Sequence, residues 1–146
     1  MQPGDNVQQP QRVEVRILTP IAAGAIAVVQ VSGPRSPAIA AKVFRPRRGS
    51  TAMEVPAGQV VYGEFVDAAG LVFDDGLMVR GDEWVEFNLH GGVRIVQRLV
   101  QQVQQQGAVL ADPGQPAADR GFDWLPPLER WLQRCLQEAA TARVVQ

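Results

Sequence analysis

The chain has 146 residues, a formal charge of −1 at pH 7 and 46% apolar residues. That size and composition fit one globular domain rather than a disordered or fibrous chain, and the balanced charge leaves no general basic footprint for nucleic acid. The single cysteine, Cys135, excludes an internal disulfide and a cysteine-cluster zinc site, and no apolar run approaches the length of a membrane-spanning helix.

Residues 1–11 are polar, rich in Gln, Pro and Gly, and lack the apolar segment of a signal peptide. They read as a disordered tail, and a cytoplasmic location is the expectation. Residues 12–18 alternate, with Val13, Val15 and Ile17 turned inward, and predict a strand. A turn over 19–24 leads to a nearly all-apolar stretch, 25–31, of the kind found in a central strand covered on both faces. Ser36-Pro37 marks a helix start, with Ser36 as N-cap and Pro37 in the first helical position, and the helix is expected to run over 37–44. Arg45, Arg47 and Arg48 then fall in a Pro- and Gly-containing loop, read as solvated rather than phosphate-binding.

Residues 59–66 predict a strand, 67–70 a turn, and 71–79 a returning strand interrupted at Asp74-Asp75. Trp84 to Leu89 alternates strictly: Val85, Phe87 and Leu89 point one way, Trp84, Glu86 and Asn88 the other. At His90-Gly91-Gly92 the period changes, because Val93, Val96, Leu99, Val100 and Val103 recur at helical spacing over 92–106. A strand that passes through glycines into a helix leaves free backbone N–H groups at the helix start, where an anion can sit. The chain's only histidine, His90, lies at that join. Two readings follow: glycines that serve close packing, or a ligand-facing site built from Glu86, Asn88, His90 and the helix start.

An edge strand is expected at 108–110 and a loop at 112–116. After Pro126-Pro127 a helix over 127–141 carries Leu128, Trp131, Leu132, Cys135, Leu136 and Ala139 on one face, a stripe that reads as core. The sum is an α+β domain: a mixed sheet of five or six strands with three helices. Residues 1–11 form the tail, 12–114 the main domain, and 115–146 a loop and amphipathic helix packed on it. No Walker phosphate loop is present. Asp74, Asp75, Asp82, Glu83 and Glu86 cluster in sequence, yet read as turn and edge residues rather than an acid–base pair, and neither a metal ligand set nor a catalytic residue is expected.

These residues also resemble a family. Thr19-Pro20, Gly24, Val31-Ser32-Gly33-Pro34, Tyr62-Gly63, Phe73-Asp74-Asp75-Gly76-Leu77, the run from Gly81 to Gly92, and Pro113-Gly114 follow, in order, the pattern of the N-terminal domain of the tRNA-modification GTPases called MnmE or TrmE. The resemblance implies a fold similar to the folate-binding part of the glycine-cleavage T-protein. It also implies a homodimer that binds a tetrahydrofolate derivative supplying a one-carbon unit, and partner proteins in modification of the wobble uridine. It places the folate site at Pro20, Gly24, Glu86, Asn88, His90, Gly91 and Gly92. The family's first-loop arginine falls on Ala23, the pair after Pro113-Gly114 is Gln115-Pro116, and no GTPase domain or Cys-x-Gly-Lys tail is present. The expectation is therefore a stand-alone homologue without GTPase activity, not catalytic by itself, with direct nucleic-acid and membrane binding not expected. A ligand-free dimerisation or adaptor module is the alternative, and a one-carbon transferase acting alone ranks third.

Overall fold

In the computed structural model, residues 12–19, 26–49 and 51–111 are described. The expected tail, the first-loop residues Pro20 and Gly24, and the helix over 127–141 lie outside them. Seven strands form one sheet: β1 (Glu14–Ile17), β2 (Ile26–Ser32), β3 (Phe44–Pro46), β4 (Val60–Val66), β5 (Val72–Arg80), β6 (Trp84–His90) and β7 (Val109–Leu110). Their order is β3-β4-β5-β6-β2-β1-β7. All neighbours are antiparallel except β7, which runs parallel to β1 with Glu14 opposite Val109. Two helices, α1 (Ser36–Val43) and α2 (Val93–Gln105), contribute to a core on one side of this mixed sheet. The architecture is α+β.

The core follows from the strand period. Val13 and Val15, Val29 and Val31, Val85 and Phe87, Met78, and Phe65 all turn to the same side and are buried, where they meet Ile39 and Val43 of α1 and Val96, Leu99 and Val103 of α2. Phe44, Phe65 and Phe87 form its aromatic centre. Phe65 stands edge-on to Phe44 at 5.2 Å and to Phe87 at 5.5 Å. Such pairs contribute about 0.5–1.5 kcal/mol beyond the area they bury.

Several expectations need correction. The first helix begins one residue early: Arg35 is the N-cap, and Ser36 lies inside the first turn with its hydroxyl buried. The cause is the turn before it, where Gly33 adopts a left-handed φ of 131° and its carbonyl accepts the Ser36 N–H at 3.0 Å. Phe44 leaves that helix and starts β3, which pairs with β4, so Arg45 and Pro46 are strand rather than loop. Among the described residues the sheet thus has seven strands, more than expected.

The returning strand is not interrupted. β5 runs through Asp74 and Asp75, which pair with Phe65 and Glu64 of β4. The ladder holds because both carboxylates find side-chain partners at the sheet surface instead of breaking the backbone pairing. Directly after them, a Cβ at Gly76 would strike the Asn88 carbonyl oxygen, so β5 and β6 can close at this point only with glycine there.

Candidate functional site

The sheet's second face is made by the side chains that do not enter the core. β6 contributes Trp84, Glu86, Asn88 and His90 to it, as their alternation predicts. Register supplies their neighbours. Gln30 of β2 and Val79 of β5 flank Glu86, Val28 and Leu77 flank Asn88, and Ile26 lies opposite His90.

This face changes character along β6. Trp84 packs against Gly81, where a Cβ would collide with the indole, and is buried. Glu86 is only 5% exposed, and the Gln30 amide donates to its carboxylate at 3.5 Å. Asn88 is half-buried. The His90 side chain is 65% exposed. At Trp84 and Glu86 both faces of the strand are buried, and only the His90 end is open.

The open end carries a polar network. The Asp74 carboxylate accepts the His90 backbone N–H at 2.9 Å and contacts the imidazole Nδ1 at 2.7 Å. The hydrogen bond to Asp74, then its charge, raises the His90 pKa above the usual 6.5. The Tyr62 phenol donates to Asp75, and that bond raises the tyrosine pKa above 10.0. The Arg47 guanidinium lies over the Tyr62 ring, 5.2 Å from its centre. Arg47 is therefore engaged by an aromatic ring rather than only by solvent.

Across the hairpin, Arg98 of α2 donates to Asp67 at 2.9 Å and stacks 5.0 Å from the Phe73 centroid. Backbone N–H bonds from Leu71 and Ala69, with Arg98, hold the Asp67 carboxyl below its ordinary pKa of 3.8. This contact fastens α2 to the turn after β4.

The join at 90–92 is simpler than the glycines suggest. Gly92 is the N-cap of α2 with φ −65° and ψ 133°, a conformation open to any residue, and a Cβ there would meet Ile95 at an ordinary 3.7 Å. Among the described residues no side chain caps this helix, and its first N–H groups form a terminus of positive partial charge. The structure therefore brings Glu86, Asn88, His90 and the Gly91-Gly92 helix start along one line, from a closed niche to an open rim. Sequence reasoning left Tyr62 out of the site and read Asp74 and Asp75 as turn residues. The missing signal is strand register, since His90 and Asp74 lie 16 residues apart.

Comparison with known proteins agrees with the order of motifs. The family model described as "GTP-binding protein TrmE N-terminus" matches residues 15–122. The tRNA modification GTPase MnmE of Carboxydothermus hydrogenoformans is 35% identical over 108 residues, covering 68% of this chain and 23% of the relative. That of Bacillus licheniformis is 37% identical over 108 residues, with 68% and 24% covered. That of Synechococcus sp. is 36% identical over 100 residues, with 63% and 21% covered. The chain thus spans about a quarter of the length of the curated relatives it matches. Among solved structures, the glycine cleavage system aminomethyltransferase T from Bartonella henselae overlaps 66% of this chain and 25% of its own, at a TM-score of 0.44 and 12% identity. No helix among the described residues is long and apolar enough to cross a membrane.

Proposed function

Because the chain belongs to the TrmE N-terminus family, we propose that it is a dimerising module that binds a tetrahydrofolate derivative, serves tRNA wobble-uridine modification with partner proteins, and has no GTPase activity of its own. The observation that carries the ligand reading is the placement of Glu86. A carboxylate nearly closed off from water beside Gln30, on a sheet face that opens toward a helix start, matches the two ends of a folate. The carboxylate accepts the donor edge of a pterin, and the N–H groups at the start of α2 face the ligand's anionic end. Ala23 stands where the family's loop has an arginine. Loss of one charge-assisted bond, roughly 1.5–3 kcal/mol, weakens binding about ten- to a hundredfold.

The test is calorimetric titration of the whole chain with 5-formyltetrahydrofolate, with Glu86→Ala and Gly91→Val beside the wild type. Saturable binding lost in both variants supports the site. Binding that both leave unchanged places the ligand elsewhere and ends this reading. Dimerisation is tested separately by sedimentation at tens of micromolar, where a single monomeric species contradicts it, and the GTPase statement by titration with GTP.

One observation favours the adaptor reading. Val60, Tyr62 and Leu77 form an exposed apolar strip on the second face, suited to contact with another chain without any ligand. Absence of heat and thermal shift at millimolar folate, with an intact dimer, selects that alternative.

A further inference from the structure

We propose that Asp74, Asp75 and His90 form a binding site for a borderline first-row divalent cation, Zn2+ in preference to Mg2+, at the open end of the second face. Three donors, one from each residue, lie within 4.8 Å of one another. Metal–donor bonds of about 2.0–2.2 Å set donor separations of roughly 3–4 Å, which fall inside the span of these three donors. Two carboxylates with one imidazole suit Zn2+ or Mn2+ better than Mg2+, which favours an all-oxygen shell.

The surroundings supply a second, independent reason. Three other acids of the sheet and its turns carry guanidinium partners: Glu14 has Arg12 and Arg16, Glu64 has Arg45, and Asp67 has Arg98. Asp74 and Asp75 are adjacent, the Asp74 side chain is 8% exposed, and among the described residues neither has an arginine or lysine in ion-pair range. A single imidazole faces both. A divalent cation supplies the missing positive charge.

The outer partners are also in place. The His90 backbone N–H holds one oxygen of Asp74 and leaves the other directed at the imidazole, while the Tyr62 phenol fixes Asp75. Such bonds orient ligating carboxylates. The exposure of His90 leaves the remaining coordination positions to water. On metal binding, the proton shared between the imidazole and Asp74 is released to solvent and the nitrogen lone pair is donated to the cation. This site goes beyond the folate reading and shares with it only His90, so Glu86→Ala and folate titration report on the other proposal separately.

The experiment is calorimetric titration of the whole chain with Zn2+, Mn2+ and Mg2+, with circular dichroism to verify the fold of each variant. The expected result is one Zn2+ per chain at a Kd of about 1–10 μM, weaker Mn2+ and no measurable Mg2+. His90→Ala and Asp75→Asn abolish saturable binding, Tyr62→Phe weakens it about tenfold, and Glu14→Gln leaves it unchanged. Co2+ substitution gives a spectrum without a thiolate charge-transfer band, which separates the site from Cys135. Absence of saturable Zn2+ uptake by the folded wild type overturns the proposal. So does uptake that survives both His90→Ala and Asp75→Asn.

Discussion

The two faces of the sheet are built from alternate residues of the same strands, yet they are held together differently. On the helix-covered face, Val85 and Phe87 are buried among apolar side chains, and one residue away Glu86 is buried beside an amide. The first face is stabilised by area removed from water, a term that tolerates some reshuffling. At Glu86 and around His90 the second adds hydrogen bonds and charge, which depend on particular atoms. The comparison separates what keeps the domain folded from what it offers to a ligand.

Substitution at the core face has the largest expected effect. Phe87→Ala removes a fully buried ring in contact with two others and costs about 3–5 kcal/mol, read as a fall in the urea midpoint. Ile26→Ala, on the second face and 60% exposed, stays within about 0.5 kcal/mol. Equal losses at the two sites break the contrast between the faces. Next comes the backbone contact that joins β5 to β6. Gly76→Ala forces a methyl onto the Asn88 carbonyl and costs about 1–3 kcal/mol of overpacking, again by urea unfolding, with slippage visible in the amide spectrum of Asn88.

The smallest effect is electrostatic and sharpens the account of the second face. Because the folded-state pKa of His90 is raised, the His90–Asp74 contribution to stability is fully present below pH 6.5 and is lost as pH rises through the elevated value. Melting temperature against pH, wild type minus His90→Gln, should narrow toward alkaline pH without added metal. A difference that grows with pH contradicts the pairing. Asp67 acts in the opposite sense. Its lowered pKa gives stability above its ordinary value of 3.8, lost as pH falls through the folded-state value.

Much of the core was legible because its signals are local. The period of two in β6 and the helical spacing of Val93 to Val103 needed only neighbouring residues, and the helix expected over 92–106 is found at Val93–Gln105. The short edge strand before residue 111 was legible for the same reason. Phe44–Pro46 was not, because a proline and two flanking basic residues look like a loop until β4 lies beside them. Asp74 and Asp75 carried turn chemistry, and only register with β4 shows them to be strand residues, with Asp74 bonded to His90 and Asp75 to Tyr62. The candidate site was thus half legible: Glu86, Asn88 and His90 came from alternation, whereas Tyr62 and the two aspartates required long-range pairing.

The parallel pairing of β7 with β1 bears on synthesis. During translation β1 leaves the ribosome first and can pair with β2 at once, but its outer edge meets Val109 and Leu110 only after nearly all of the described domain has been made. Until then, the carbonyls of Val13 and Val15, which accept from Val109 and Ala111 at 2.9 Å in the finished fold, belong to an unpaired strand edge. A nascent chain halted before α2 therefore exposes that edge to other chains, and the last two residues of the sheet act as its seal.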